Sequence, residues 1–353
     1  MVLPASRRLA FTALATLATT AAVAGCGSDG GSGGASSGAS ASSTDGATLL
    51  KAAFKPSDAS SGYVAVNVKG TIDVPKDDEL RHLAGEANLT VSYGKQESGK
   101  LLPPLAVAFD VDGDYVDGKG KSGKGKYSGG ITYAADQLYA NWEGQDYAVG
   151  SALTNELMSE IQKEAAKEGV SATSPLGGVD PQKLLDAMDL DPDTWFKSTT
   201  VTDGGQVEGE DTQKISGPVD VKAVADDITS GLKALPAAVP QLPGVDKLKQ
   251  VDSISDSDLA DAEKAIKVLD ASIWVGKDDH LERQIQVHLK ADDQTGDDPG
   301  SGDVTLTITN TATPKPIVAP KTSTPITDLI LKLEKQFGGP GGPLEGLMGG
   351  QTA

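Results

Sequence analysis

Alternation of apolar and polar residues is the dominant pattern of the chain between residues 63 and 308. Val64, Val66 and Val68 share one side of the first such segment, and small or polar residues lie between them. A period of two is typical of a β-strand with one face on a core and the other in water. The pattern recurs at 86–93, 105–111, 131–142, 201–216, 272–275, 284–289 and 304–308. It favours an antiparallel sheet, because the buried strands of parallel sheets are apolar on both faces.

Hairpin turns are predicted where short polar stretches separate two such segments, at 134–137, 203–205 and 276–279. Helices are predicted where apolar residues follow a helical spacing, at 155–168, from Asp180 onward, and at 219–235, 255–270 and 324–337. Leu259 and Ile266 lie on one side of the 255–270 helix, and the proline-rich stretch 236–243 predicts a break before it.

The order of these elements predicts an α+β fold. We expect a curved antiparallel β-sheet, a half β-barrel, with amphipathic helices covering its concave face, because a one-sided apolar sheet must be covered. The helical region near 150–190 separates an N-terminal strand group from a C-terminal one, and the two groups can form one continuous sheet. The folded domain is predicted at 47–312, followed by a C-terminal extension at 313–353 with a short amphipathic helix and a flexible Gly/Pro tail.

The N-terminus has the pattern of an export signal. Arg7 and Arg8 precede an uncharged run that is too short to span a bilayer, and the run ends in Val23-Ala24-Gly25-Cys26. This ending resembles the bacterial lipobox, in which the cysteine is lipidated and becomes the first residue. The alternative is an ordinary secretory signal. We therefore expect a signal peptide at 1–25 and a lipidated Cys26 with a disordered Gly/Ser tether at 26–46.

Composition narrows the possible functions. Removal of residues 1–25 leaves 29 basic and 50 acidic residues, a formal charge of −21, so nucleic-acid binding is not expected. Cys26 is the only cysteine, so the domain has no internal disulfide. Aromatic residues make up only 4% of the chain, which argues against a carbohydrate-stacking surface.

Several local motifs resemble binding or catalytic sites without the context that those sites need. The stretch 118–123 reads Gly-x-Gly-x-x-Gly, but no helix is predicted after it, so we interpret it as a solvated hairpin loop. Its lysines could instead contact anionic lipid head groups or cell-wall phosphate. Asp110, Asp112 and Asp114 resemble the start of a calcium loop, but Tyr115 and Lys121 occupy the positions that need Gly and Glu, so we interpret them as the solvent-facing side of a strand. We expect no enzyme activity, no metal site and no cofactor.

Three segments resemble a known family. They are 138–147, then 209–220 with the pattern Gly-x-x-Thr-x-x-Ile-x-Gly-x-Val-Asp, and 273–283 with Ile-Trp-Val-x-x-Asp-x-x-Leu-x-Arg. With the lipobox, these segments resemble the LppX/LprG-type lipoproteins of actinobacteria. The resemblance implies a fold similar to LolA and LolB, a half-open barrel that holds lipid acyl chains between sheet and helices. The region 70–130 is longer here than in the shorter family members, and the chain extends beyond Ala312.

The predicted function is that of a membrane-anchored lipoprotein on the extracytoplasmic face of the cell membrane. It would bind or carry a lipid or glycolipid in an apolar cavity. The alternative is a non-catalytic interaction or sensor lipoprotein with a solid core. The sequence identifies no protein partner. The predicted cavity residues are Val64, Val66, Val68, Leu89, Val91, Val107, Phe109, Leu259 and Ile266.

Overall fold

The computed structural model describes residues 46–54, 61–77, 80–95, 97, 102–167, 191–238, 256–293 and 299–337. The predicted signal peptide, Cys26, the helix starting at Asp180 and the tail after residue 337 lie outside these ranges.

Twelve strands and five α-helices make up the described chain. The strands are β1 (Gly62–Asp73), β2 (Leu80–Tyr93), β3 (Leu105–Asp117), β4 (Ser122–Ala134), β5 (Gln137–Trp142), β6 (Gln145–Ala148), β7 (Thr200–Val207), β8 (Glu210–Pro218), β9 (Ile266–Gly276), β10 (Glu282–Asp293), β11 (Gly300–Thr311) and β12 (Thr324–Pro325). The helices are α1 (Gly46–Ala53), α2 (Ser151–Lys167), α3 (Val221–Ala238), α4 (Asp256–Ala265) and α5 (Ile326–Phe337), with a 3₁₀ turn at Pro192–Trp195.

All twelve strands belong to one sheet in the order β12-β6-β5-β4-β3-β2-β1-β11-β10-β9-β8-β7. The pairs are antiparallel except the short pair of β12 with β6. β1 pairs with β11 over eleven positions and joins the two strand groups. The prediction of an α+β protein with one continuous antiparallel sheet is therefore confirmed.

One side of the sheet is apolar across nearly its whole width, and we call it the apolar face. Cross-strand partners in an antiparallel sheet point to the same side. A single row of partners therefore crosses ten strands, in the order Val201, Ile215, Ile273, Ile285, Ile308, Val66, Leu89, Phe109, Gly129 and Trp142. The opposite side, which we call the polar face, holds the residues that come directly before and after these in each strand.

A compact core covers the apolar face over β8 to β11 and the adjoining part of β1. Leu49 and Leu50 of α1, Trp195 of the 3₁₀ turn and Val224 of α3 pack there against the sheet. The Trp195 indole N–H donates to the Asp227 carboxylate at 2.6 Å, which fixes the 3₁₀ turn to α3. We call β8–β11 with β1 and these elements the covered region.

Three predicted boundaries are wrong. The β7–β8 turn lies at Glu208 and Gly209, both with positive φ, and the stretch 203–205 forms a bulge within β7. The predicted helix 255–270 ends at Ala265, and the chain from Ile266 onward is β9 because it pairs with β10. Pro236 also lies inside α3, where a break was predicted.

The chain after β11 crosses the end of the sheet. Residues 312–323 lead from β11 past six strands to β12, which pairs with β6. The Ser92 hydroxyl donates to the Lys315 carbonyl at 2.9 Å, and the Lys315 ammonium lies 4.9 Å from the centre of the Tyr63 ring. This crossing segment links the covered region to the far edge of the sheet.

Candidate functional site

The apolar face changes character where it passes from β1 to β2. In the row described above, Ile308 is fully buried, whereas Leu89 is 44% exposed only two strands away. Ile131 of β4 is 51% exposed. The large exposed side chains on this part of the face are Leu83, Leu89, Val111, Tyr115, Tyr127 and Ile131. We call the apolar face of β2, β3 and β4 the open apolar face.

No charged residue lies on the open apolar face between Leu83 and Val91 of β2 or between Gly123 and Tyr133 of β4. The described helices make their main sheet contacts elsewhere, α4 with β9 and β10, α2 with β5, and α5 with β6. At β6 the sheet is buried again, since Tyr147 is only 2% exposed. The open apolar face is thus an uncharged surface between two buried parts of the sheet.

A row of glycines crosses this surface. Gly70, Gly85, Gly113 and Gly125 are successive partners on β1, β2, β3 and β4. A Cβ atom on Gly85 would lie 2.5 Å from the Asp112 carbonyl oxygen, so the backbones approach closely there. Aligned glycines allow neighbouring strands to bend together.

Aromatic rings lie against two glycines of β4, one of them in this row. A Cβ atom on Gly125 would meet the Tyr127 ring at 3.0 Å, and one on Gly129 would meet the Phe109 ring at 2.8 Å. Phe109 also contacts Trp142 edge to face, with 6.2 Å between ring centres. These rings supply apolar area where the strand itself has no side chain.

Between Leu105 and Val116 of β3 and along β4, charged side chains lie on the polar face. The Lys124 ammonium lies 3.1 Å from the Asp114 carboxylate, and that of Lys126 lies 3.3 Å from Asp112. β4 is a regular strand from Ser122 onward, so its lysines point to the polar face and the glycines and the tyrosine between them to the apolar face. The predicted hairpin loop is therefore limited to the turn at 118–121. The aspartates of the calcium-like motif lie on β3, in a strand and not a loop.

The structure places most of the predicted cavity residues on adjacent strands. Val64 is buried, and Val66 and Val68 pack against the core of the covered region. Val91, Val107 and Phe109 are half-buried beside the exposed Leu89. Ile266 begins β9, separated from β1 by β10 and β11, instead of lying on a helix above the sheet. Leu259 lies in α4, but its side chain is outside the described part of the structure.

Sequence reasoning missed several residues of the open apolar face. Val111 and Ile131 lie in segments predicted as strands but were not predicted to belong to a site, and Tyr115 and Tyr127 lie outside the predicted elements. The available signal was the period of two in Gly123, Gly125, Tyr127, Gly129 and Ile131, which the glycines weaken.

A buried carboxyl group lies at one end of the core. Glu282 is only 8% exposed and accepts a hydrogen bond from the Asn310 amide at 2.6 Å. Burial raises the pKa of Glu282 to about 7, and the hydrogen bond from Asn310 opposes this rise. The neighbouring Arg283 is held by ion pairs with Glu210 and Asp279. This end of the core therefore holds a carboxyl that is neutral in mildly acidic solution.

Other features bear on the possible chemistry. Within the described ranges, no three histidine, cysteine or acidic side chains are close enough together to hold a metal ion. None of the described helices is long and apolar enough to cross a lipid bilayer. What the open apolar face can do is bury apolar groups of another molecule.

Comparison with known proteins adds no assignment. The chain matches no protein-family model and no curated protein sequence at a significant level. The resemblance to LppX/LprG-type lipoproteins therefore stays a prediction.

Proposed function

We propose that this chain is a lipid-anchored extracytoplasmic protein that binds an amphipathic lipid, with the lipid's acyl chain against the open apolar face. The observation that carries the proposal is the exposure of Leu89, Tyr127 and Ile131 by 41 to 51% on one uncharged surface. Monomeric soluble proteins rarely leave a large contiguous apolar patch in water. In this proposal the sheet is a LolA/LolB-like half-barrel with helices over its concave face.

The energetics suit an acyl chain. Burial contributes about 0.8 kcal/mol for each methylene group, so a fully buried sixteen-carbon chain contributes roughly 13 kcal/mol before the entropy lost on binding is subtracted. The ring faces of Tyr115 and Tyr127 add apolar area, and their hydroxyl groups can remain in contact with water or a polar head group.

Lipid binding is tested by comparing two faces of the same strands. The full chain is purified, and bound lipid is identified by native mass spectrometry and by extraction. Leu89→Glu with Ile131→Glu places charges on the open apolar face, and we expect bound lipid to fall at least tenfold. The matched control is Thr90→Glu with Thr132→Glu, one residue further along each strand and on the polar face, which should retain lipid. Equal lipid content in both variants, or none in the parent chain, would contradict the proposal.

The anchor is tested separately at Cys26. Cells given a clickable palmitate analogue should label the parent chain and a Ser28→Ala control, whereas Cys26→Ala should take up no label and leave the membrane fraction. Labelling of the Cys26→Ala chain would contradict lipidation at this residue and would leave the lipid-binding proposal standing.

A solid-core interaction or sensor lipoprotein is the second candidate. The covered region favours it, because Ile215, Val275 and Ile308 are completely buried by the protein itself. In that case a protein partner covers the open apolar face. The same glutamate variants would then abolish partner binding in a parent chain that carries no lipid.

A further inference from the structure

The outer side of β4 has an unpaired stretch within the described part of the chain. β4 pairs with β3 over twelve positions from Ser122 to Tyr133 without a shift in register. Its other neighbour, β5, pairs only with Gly129–Ala134. The first half of β4, Ser122–Tyr127, is therefore paired with β3 on one side and forms a sheet edge on the other. We call it the β4 edge.

The direction of its hydrogen-bonding groups follows from one contact. The Glu143 amide donates to the Ser128 carbonyl at 2.9 Å, so the main-chain groups of Ser128 point away from β3. Main-chain groups alternate in direction along a strand, so those of Ser122, Lys124 and Lys126 point the same way. At about 3.3 Å per residue, the groups from Ser122 to Lys126 form a ladder roughly 13 Å long.

The sheet's other end provides a useful contrast. β7 is also an edge in the described residues, but it has a bulge between Asp203 and Gly205 and a positive φ at Gly205. Bulges of this kind protect edges against further pairing because they interrupt the ladder. The β4 edge has no bulge and no proline. Of these two edges, the β4 edge is therefore the one whose ladder of main-chain groups is uninterrupted.

The side chains of the β4 edge define the partner's chemistry. The side chains of Lys124 and Lys126 are 84% and 71% exposed on the polar face. On the apolar face, Gly123 precedes the two lysines, Gly125 lies between them and Tyr127 follows. A strand beside them would satisfy the lysines with carboxylates on one face and would place apolar side chains over the glycines on the other.

We propose that the β4 edge binds an extended segment of another protein in which acidic and apolar residues alternate. The new carboxylates would continue the cross-strand pairs of Asp112 with Lys126 and of Asp114 with Lys124. Opposite charges on neighbouring strands stabilise a sheet, and directly opposed like charges destabilise it. This inference does not depend on lipid binding.

A second copy of this chain fits the β4 edge poorly. Antiparallel pairing of two β4 edges about a two-fold axis near Gly125 would place Lys124 of one copy opposite Lys126 of the other. An axis at Lys124 or at Lys126 would place that lysine opposite itself. The lysines therefore select an acidic partner and oppose self-association.

The experiment uses the full chain and a synthetic six-residue peptide of alternating valine and glutamate. We expect saturable binding by NMR titration, with amide exchange slowed at least tenfold at Lys124 and Lys126. Lys124→Glu with Lys126→Glu should weaken binding at least tenfold. Lys119→Glu with Lys121→Glu makes the same change of charge in the adjoining turn and should have less than a twofold effect.

Two further peptides test the parent chain without any substitution. A valine–lysine peptide should bind at least tenfold more weakly, and so should a valine–glutamate peptide that is N-methylated at alternate residues on its hydrogen-bonding side. Unslowed exchange at Lys124 and Lys126, or equal binding of all three peptides, would overturn the proposal. So would a dimer in sedimentation that the Lys124→Glu, Lys126→Glu variant abolishes, because a second copy would then occupy the edge.

Discussion

The covered region and the open apolar face have the same local pattern and different surroundings. Ile308 and Ile131 both lie on the apolar face of long antiparallel strands, yet the first has no exposed area and the second is 51% exposed. Residues of α1, the 3₁₀ turn and α3 belong to the same core as Ile308, whereas the main sheet contacts of the described helices lie outside β2–β4. Alternation therefore determines the face on which a residue lies. The elements packed above the sheet determine how deeply that residue is buried and how much it contributes to the stability of the fold.

The largest expected effect comes from the same substitution in both places. Ile308→Ala removes fully buried methyl groups and should lower the free energy of unfolding by about 4 kcal/mol. Ile131→Ala should lower it by less than ~1 kcal/mol, because half of that side chain is already in water. Urea denaturation at equilibrium measures both values. Similar losses would show that the open apolar face is packed in solution.

The next effect concerns the carboxyl in the covered region. The folded-state pKa of Glu282 is about 7, above its usual 4.5, so the folded protein keeps a proton that the unfolded chain releases. Its contribution to stability is complete below pH 4.5 and is lost as pH rises to 7, a total of about 3 kcal/mol. Glu282→Gln should therefore match the parent chain near pH 4.5 and exceed its stability at pH 8. Parallel stability profiles from pH 5 to 8 would contradict this assignment.

The glycine row gives a smaller effect. Gly85→Ala should lower the free energy of unfolding by about 2 kcal/mol, because its Cβ would lie 2.5 Å from the Asp112 carbonyl oxygen. Gly125→Ala should change it by less than ~0.5 kcal/mol, since the Tyr127 ring, 3.0 Å from its Cβ, can rotate away. Thermal unfolding of the two variants distinguishes a close backbone approach from an adjustable contact. Equal effects would place the strain elsewhere.

The smallest effect is expected for the ion pairs of the polar face. A double-mutant cycle with Asp112→Asn and Lys126→Met should give a coupling of about 0.5 kcal/mol or less, because both side chains are more than half exposed. The coupling should decline further in 1 M salt. A coupling above ~2 kcal/mol would mean that the polar face is shielded from water. Arg283 provides the contrast, since its side chain is only 9% exposed between Glu210 and Asp279.

Much of the sheet could be predicted from sequence because its strands alternate strictly. Val64, Val66 and Val68 already identified the inward side of β1, and the pairing of β9 with β10 followed from the short link between them. The first half of β4 was missed because glycine and lysine are rare in strands. Lys124 and Lys126 form ion pairs there with Asp114 and Asp112 on the neighbouring strand, contacts that local sequence does not reveal.

The candidate site was predictable only in part, for a related reason. Periodicity indicated that Leu89, Val107 and Phe109 share a face with Val66, and the register agrees. It could not indicate that Ile266 belongs to a strand, because its spacing from Leu269 also suits a helix. Nor could it predict how the exposed fraction differs between Leu89 and Ile308, since burial depends on residues distant in the chain.

The crossing segment has a consequence for how wide the sheet can become. Thr311 and Thr324 are joined by twelve residues, so their Cα atoms cannot separate by more than about 45 Å. β11 and β12 are seven strand spacings apart in the sheet, which corresponds to roughly 34 Å. The C-terminal extension thus acts as a length limiter. Lateral widening of the sheet between β11 and β12 is therefore limited to about 10 Å, and any larger change of shape has to come from the curvature of the sheet.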